Sequence, residues 1–392
     1  MPLLLQKLNL SQFRGYDALR LDVSGSRIAV LSGPNGAGKT NVLEAVSLLS
    51  PGRGLRGARL PELRNRAAAE EDLWAVSAEI ETAGGESLRI GTGQERDGKR
   101  RRVRIDGRDA RAQAELSDVL SVLWLTPQMD RLFLEGAAAR RKFFDRLAYA
   151  NTPAHAGHLS RYDKTLRERL KLLQQDRGAD PAWLDVLEAR LAEEAVAIAA
   201  ARLALLDSMA ACIARLAESQ SLFPAPALYV SGWTEAALRD RPALDVEEEL
   251  RARYRSARPR DAAVGRSAEG THRSDFPVRY AAKDMPADQC STGEQKGLLV
   301  SIVLAHALMM KAEKGFVPLL LLDEVAAHLD EARREQLFAQ LLALGGQVWL
   351  TGTDAEIFAP LRGHGRFFSV RQESGCSRLR EEKPPPALEA VS

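Results

Sequence analysis

The apolar residues of this chain change texture along its length, and each texture predicts a different element. Met1 to Leu10 is leucine-rich and alternates with polar positions as a half-buried strand does. Ile28-Ala29-Val30-Leu31 is continuous instead, and after a glycine-rich stretch it gives way to a helical pattern, Asn41-Val42-Leu43-Glu44-Ala45-Val46. A second continuous run, Pro318-Leu319-Leu320-Leu321-Leu322, ends in Asp323-Glu324, the pattern of a strand buried on both faces whose carboxylates emerge at its C-terminal edge. Leu298 to Met310 reads as an apolar helix. From about Leu159 to Leu216 the chain is helix after helix, with Leu166, Leu170, Leu173 and then Leu184, Leu187, Leu191 at helical spacing between charged faces. The expected class is α/β with an inserted helical segment that ends near Phe223-Pro224-Ala225-Pro226. A short lever arm and an ordinary packed helical subdomain share this signature.

The glycine-rich stretch supplies the first chemistry. Gly33-Pro34-Asn35-Gly36-Ala37-Gly38-Lys39-Thr40 sits between a strand and a helix start, where backbone N–H groups turn inward around phosphate oxygens. Lys39 is expected to reach the β- and γ-phosphates, the Thr40 hydroxyl to bind Mg²⁺, and Asn41 to follow in the first turn. Asp323 is the candidate Mg²⁺ acid and Glu324 the residue that polarises an attacking water; taken alone, such acids also serve as helix caps. Cys290-Ser291-Thr292-Gly293-Glu294-Gln295-Lys296-Gly297 opens the apolar helix, and Ser291 is a good N-cap in a turn that offers amides to an anion.

Composition narrows the class further. The chain has 392 residues, 45% hydrophobic and 28% charged, with a formal net charge of +2, as an ordinary globular protein of two or three domains has. Cys212, Cys290 and Cys376 are far apart with no CxxC, so neither a zinc site nor a disulfide framework is expected and a reducing cytoplasm fits. The N-terminus lacks the basic start and cleavage site of a signal peptide. No stretch reads as the roughly 20 apolar residues of a membrane helix, and no membrane contact is expected.

The order phosphate loop, Ser-x-Gly-x-Gln helix start, acid-ended strand and Ala327-His328-Leu329-Asp330 resembles the ABC-type ATPases. Asn9-Leu10-Ser11-Gln12-Phe13-Arg14-Gly15-Tyr16 looks like the first-strand motif of their SMC and RecF branch. Pro51 to Arg56, Val103 to Gly107, Leu125-Thr126-Pro127-Gln128, Gly136 with Arg140 to Asp145, Gly270 to Asp275 and Thr351-Gly352-Thr353-Asp354 then follow in the order of the RecF family. The resemblance implies a P-loop ATPase core split into residues 1–115 and 276–392, around a helical insert at 116–275. It further implies ATP and Mg²⁺ as cofactors, with Gln128 as the Gln-loop residue that senses the metal. Two subunits would sandwich ATP between the phosphate loop of one and the Ser291–Gly293 turn of the other, with Asp330 at the seam. Glu294 and Lys296 depart from the usual signature, and Thr353-Asp354 takes the place of a switch histidine; His328 is read as a D-loop side chain.

The family implies a cytoplasmic, nucleoid-associated protein of recombinational repair. ATP would drive dimerisation on DNA at gaps or single-strand/double-strand junctions, slow hydrolysis would release it, and RecR- and RecO-type mediators would be its partners in loading the strand-exchange recombinase. Two basic stretches are candidates for backbone contacts: Arg96, Lys99, Arg100, Arg101, Arg102, Arg104, Arg108 and Arg111, and Arg251, Arg253, Arg255, Arg258, Arg260 and Arg266. In a hairpin Arg100, Arg102 and Arg104 would share one face; charge runs are also simply solvated. A transporter subunit or SMC-like machine is the alternative, and the Phe13-Arg14 motif speaks against the transporter. A nucleotide kinase or GTPase leaves the Ser291 turn and Asp323-Glu324 unexplained.

Overall fold

The computed structural model describes residues 4–69, 71–82, 84–95, 100–175, 180–218 and 221–382. The strands are β1 (Leu4–Phe13), β2 (Tyr16–Asp22), β3 (Ile28–Ser32), β4 (Ala75–Glu81), β5 (Ser87–Gln94), β6 (Arg101–Ile105), β7 (Arg108–Asp109), β8 (Val122–Leu125), β9 (Pro226–Leu228), β10 (Val278–Tyr280), β11 (Met285–Pro286), β12 (Leu319–Leu322), β13 (Val348–Gly352), β14 (Gly365–Glu373) and β15 (Cys376–Glu382). The helices are α1 (Lys39–Ser47), α2 (Ala137–Asn151), α3 (Ala154–Leu173), α4 (Pro181–Glu218), α5 (Trp233–Asp240), α6 (Ala243–Val264), α7 (Thr292–Lys314) and α8 (Glu331–Leu344).

The chain divides into one unit of Met1–Asp130, Gln220–Phe223 and Ile302–Ser392, and a second of Arg131–Ser219 and Pro224–Ser301. In the first unit β15-β14-β3-β13-β12-β8 form one sheet and β2-β1-β4-β5-β6-β7 an antiparallel one. β8, β12, β13, β3 and β14 run parallel. β3, β12 and β13 are buried along their whole length, which is why they read as unbroken apolar runs. β1 alternates, sending Leu5, Leu8, Leu10 and Phe13 into the core shared by both sheets. Phe13 meets Trp74 edge to face, with ring centroids 5.9 Å apart.

The second unit is chiefly helical, and its core is more polar than a leucine stripe predicts. On α3 the buried positions are His155, Tyr162, Thr165 and Arg169, while Leu166 and Leu170 are only half-buried. Arg169 stays inside because Glu188 (2.9 Å), Asp261 (2.6 Å) and the Tyr254 carbonyl (2.7 Å) accept its hydrogen bonds. Arg202 on α4 is held likewise by both oxygens of Asp145, by Glu235 (3.0 Å) and by the Thr271 carbonyl (2.9 Å). Leu184, Leu187 and Leu191 are buried at the expected spacing.

Two sequence boundaries move. Residues 116–130 belong with the first unit, because β8 extends its parallel sheet beside β12; residues 276–301 belong with the second, because β10 pairs with β9. The absence of a membrane-length apolar stretch is also corrected. Among the described residues α4 and α7 are long and apolar enough by length and composition, yet 56% and 83% of their apolar windows are buried within the fold. Both helices owe that character to core packing.

Arg202→Ala leaves Asp145 and Glu235 buried without their cation. It is expected to lower stability by about 3–5 kcal/mol, read from the urea unfolding midpoint; a midpoint equal to that of the unsubstituted chain would show the network to be dispensable.

A candidate nucleotide site at the edge of the parallel sheet

Strand register assembles the site. β13 pairs with β3 so that Thr351 lies beside Leu31 and Gly352 beside Ser32, and with β12 so that Leu350 lies beside Leu322. The next residue of β13 is therefore level with Asp323, and the phosphate loop leaves β3 at the same edge. Sheets of this kind present their ligand sites there.

The loop itself depends on glycine. Gly33, Gly36 and Gly38 have φ of 144°, 78° and 115°, the region that favours glycine. A Cβ on Gly38 would collide with the Ser377 hydroxyl and crowd the Tyr16 hydroxyl, and one on Gly33 would collide with the Val370 carbonyl; Gly36 faces open space. At the start of α1 the amides of Lys39 and Thr40 lack intrahelical acceptors and are available to phosphate oxygens. Lys39 is buried, and its ammonium donates to the carbonyls of Gly33 (2.7 Å) and Pro34 (3.1 Å) while lying 4.0 Å from Glu324. Burial pushes its pKa down, against the pull of Glu324 and Asp323.

The acids sit one residue apart with different partners. The Thr40 hydroxyl lies 3.0 Å from each oxygen of Asp323, and the Thr351 hydroxyl lies 2.7 Å from Oδ1. Burial raises the Asp323 pKa, and the hydrogen bonds from Thr351 and Thr40 oppose that rise. Glu324 adopts a left-handed backbone, φ 52° and ψ 23°, and its amide donates to Thr351 Oγ1 at 2.9 Å. Among the described residues no group of three or more His, Cys, Asp or Glu side chains is placed to hold a metal. A divalent ion here would draw on Thr40 and Asp323 and take its remaining ligands from phosphate and water, as Mg²⁺ commonly does.

The Phe13-Arg14-x-Tyr16 motif braces this loop. Arg14 makes a two-pronged contact with the fully buried Glu44 of α1 (2.8 and 2.7 Å), and Tyr16 donates to the Gly38 carbonyl at 3.2 Å. Arg56 joins from the other side, bonding Asn41 (2.8 Å) and Glu44 (3.2 Å). At the C-terminal end of α1, Arg101 donates to the carbonyls of Leu48, Ser50 (3.4 Å) and Gly52 (2.5 Å), a favourable place for a cation. Burial draws its pKa down to about 10.

The remaining predicted residues fall apart from this cluster. Gln128 lies just past β8 at the same sheet edge but is exposed and bonds neither Thr40 nor Asp323. Asp330 caps α8, its carboxylate accepting the Arg333 amide at 2.8 Å. Ser291 and Gly293 belong to the second unit, exposed at the start of α7. There Glu294 has a structural reason to replace glycine: it accepts from the Ser291 amide and hydroxyl (2.8 Å each), and Lys283 pairs with it. The Lys283 hydrogen bond, then those from Ser291, lower its pKa to about 2. His306 is fully buried in α7, as a core histidine.

The basic stretches divide by strand alternation and ion pairing. Arg96 and Lys99 lie outside the described residues. Arg101 points inward, whereas Arg102 and Arg104 point outward and share Asp109 (2.6 and 3.1 Å), with Arg100 exposed beside them. On α6, Arg253 pairs with Glu249 (2.9 Å), Arg255 with Asp185 (2.9 Å) and Arg258 with Glu188 (2.6 Å). Arg255 and Arg258 thereby tie α6 to α4, whereas Arg251 and Arg253 pair with glutamates of their own helix. The sequence marked Thr351 and Arg56 only as members of family stretches and Glu44 only as part of a helical pattern, and assigned none of them a role, nor Arg101 its inward one; aligning the C-terminal ends of Leu319–Asp323 and Val348–Gly352 signals that of Thr351.

Gly38→Ala forces a Cβ into the Ser377 and Tyr16 hydroxyls at a backbone angle that alanine resists. Titration with a fluorescent ATP analogue is expected to show at least a tenfold loss of affinity, about 1.4 kcal/mol; affinity equal to the unsubstituted chain would exclude the loop as the nucleotide site.

A family model described as RecF/RecN/SMC N terminal domain matches residues 4–375. The chain is 46% identical over 368 residues to the DNA replication and repair protein RecF of Agrobacterium fabrum, covering 93% of this chain and 96% of that one. It is 45% identical over 388 residues to the protein of the same name from Caulobacter vibrioides, covering 96% and 99%. A solved structure of the recombination mediator protein RecF-ATPrS in the RecFOR pathway has TM-score 0.81 at 22% identity, covering 96% of this chain and 98% of that one. The Smc head domain of Pyrococcus furiosus, solved with an extended coiled coil and bound to the C-terminal domain of ScpA, has TM-score 0.56 at 17% identity, covering 97% and 96%. With its α/β fold shared with RecF and SMC heads, the chain belongs to the RecF family of DNA replication and repair proteins.

Proposed function

We propose that the chain is an ATP-dependent DNA-binding protein of recombinational repair and replication-fork maintenance, in which triphosphate occupancy controls pairing of two copies on DNA. The observation that carries the reading is the cluster of Lys39, Thr40, Asp323 and Glu324, which provides cation, hydroxyl and carboxylates for a Mg²⁺-bound triphosphate. The relatives' name, DNA replication and repair protein, supports the choice of DNA over a transported solute.

In this reading Lys39 exchanges its loop carbonyls for the β- and γ-phosphates, and Asp323 and Thr40 would hold Mg²⁺, which would neutralise phosphate charge. Glu324 then orients the attacking water. Gln128, just past the end of β8, would contribute its side-chain amide to the bound metal. The loop of one copy meets the Ser291–Gly293 turn of another, where the α7 N-terminus offers amides and positive potential to the γ-phosphate, and Asp330 lies at the seam. Hydrolysis removes the bridging phosphate and releases the pair. Slow turnover, stimulation by DNA, preference for gaps or junctions, and cooperation with RecR- and RecO-type mediators belong to the same proposal.

For DNA, the outward face of β6 is the favoured surface, because Arg102 and Arg104 alternate to one side of the hairpin with Arg100 exposed beside them. Arg101 is excluded from that face by its inward bonds.

Glu324→Gln is expected to bind ATP as the unsubstituted chain does while losing at least about 100-fold in turnover; undiminished phosphate release would remove Glu324 from the chemistry. Reversing Arg100, Arg102 and Arg104 to Glu while keeping Arg101 is expected to weaken duplex binding and to flatten the salt dependence by about 0.9 for each phosphate no longer neutralised. Unchanged affinity and slope would clear this face of DNA.

A further inference from the structure

Thr351 is an almost fully buried side chain that touches both acids of the site. Its hydroxyl oxygen lies 2.7 Å from Asp323 Oδ1 and 2.9 Å from the Glu324 amide nitrogen. The direction of the hydrogen bonds follows from the groups alone. A backbone N–H can only donate, so the Thr351 oxygen accepts from Glu324, and its own hydrogen goes to the Asp323 carboxylate. A bond from hydroxyl to carboxylate is charge-assisted, which accounts for the shorter distance.

The next residue extends the connection, since the Gly352 carbonyl accepts the Gly33 amide at 3.2 Å. The end of β13 is therefore bonded to the first glycine of the phosphate loop, to Asp323 and to the backbone of Glu324. Glu324 needs such a hold. Its φ of 52° is a conformation that a non-glycine residue keeps only when its surroundings impose it.

We infer that Thr351 is a positioning residue for ATP hydrolysis, its single hydroxyl fixing the orientation of Asp323 toward the metal and the left-handed turn that aims Glu324. The inference rests on the ATPase reading of this site. Because threonine is β-branched, its χ1 is stiff and the hydroxyl stays between the two acids. Asp323 Oδ1 is engaged by Thr351, and Thr40 spans both oxygens, so the carboxylate's rotation is set before any ligand arrives.

The test compares Thr351→Val, which keeps the shape and removes both hydrogen bonds, with Thr351→Ser, which keeps the hydroxyl. Each is assayed for metal-free binding of a fluorescent ATP analogue, for the Mg²⁺ concentration that half-saturates the metal-dependent gain in that binding, and for phosphate release. Thr351→Val is expected to bind metal-free nucleotide within about twofold of the unsubstituted chain. Its Mg²⁺ requirement should rise and its turnover fall, each by about 10–100-fold, the range seen when a residue supporting a metal ligand is removed. Thr351→Ser should recover most of both. Thr351→Ala takes the place of the valine variant should the latter fail to fold.

A valine or alanine variant with the normal Mg²⁺ curve and turnover would overturn the assignment, as would a serine variant as impaired as valine. An unsubstituted chain that binds nucleotide but releases no phosphate would instead refute the ATPase reading.

Discussion

The in-register parallel pairing of β3, β13 and β12 is the constraint on which the site depends. Val348 beside Ile28 and Leu350 beside Leu322 bring the end of β13 level with Asp323 on one side and with the root of the phosphate loop on the other. Successive side chains on a strand point to opposite faces, so a slip of one residue would turn Thr351 away from Asp323. The burial of these strands on both faces makes the register costly to change, since each slip moves Trp349 and the leucines out of their packing. Core packing and site geometry are here one and the same requirement.

Around that edge, α1 is held by charge along its second half. In its second turn Glu44 is fully buried between Arg14 and Arg56, and past its finish Arg101 satisfies carbonyls that the helix leaves open. The helix proposed to offer its N-terminus to phosphate is thereby tied to the antiparallel sheet of its unit. Lys39 is already turned to the carbonyls of Gly33 and Pro34, so phosphate binding, as proposed, exchanges one set of acceptors for another without bringing a new cation into the site. The second unit uses the same device in its core, with Arg169 and Arg202 each saturated by buried acceptors.

What was legible in the sequence was what is local. The phosphate loop, the Asp323-Glu324 strand end and the Ser291 cap each carry their reason within a few consecutive residues, and the family motif order joined them. Thr351 escaped because its role is set by register with a strand some thirty positions away, whereas Thr353-Asp354 stands out by family position alone. Arg101 was grouped with its neighbours by charge, although strand alternation sends it to the opposite face. On α3 the leucine spacing was real but the buried stripe is Tyr162, Thr165 and Arg169, because Glu188 and Asp261 arrive from other helices to satisfy the arginine. The boundaries at 116 and 275 missed because β8 and β10 are short strands whose membership is decided by distant partners. Glu294, a departure from the usual signature, became intelligible only once Ser291 and Lys283 were seen around it.

The central claim is that the phosphate loop is half of a site, completed by the Ser291 turn of a second copy. Sedimentation velocity of the chain with and without ATP and Mg²⁺, alongside Ser291→Arg, tests it most directly. The account predicts that ATP converts the unsubstituted chain from monomer to dimer, while Ser291→Arg binds ATP equally well and stays monomeric. Dimers of the same stability in the Ser291 variant, or a monomer at saturating ATP in the unsubstituted chain, would contradict it.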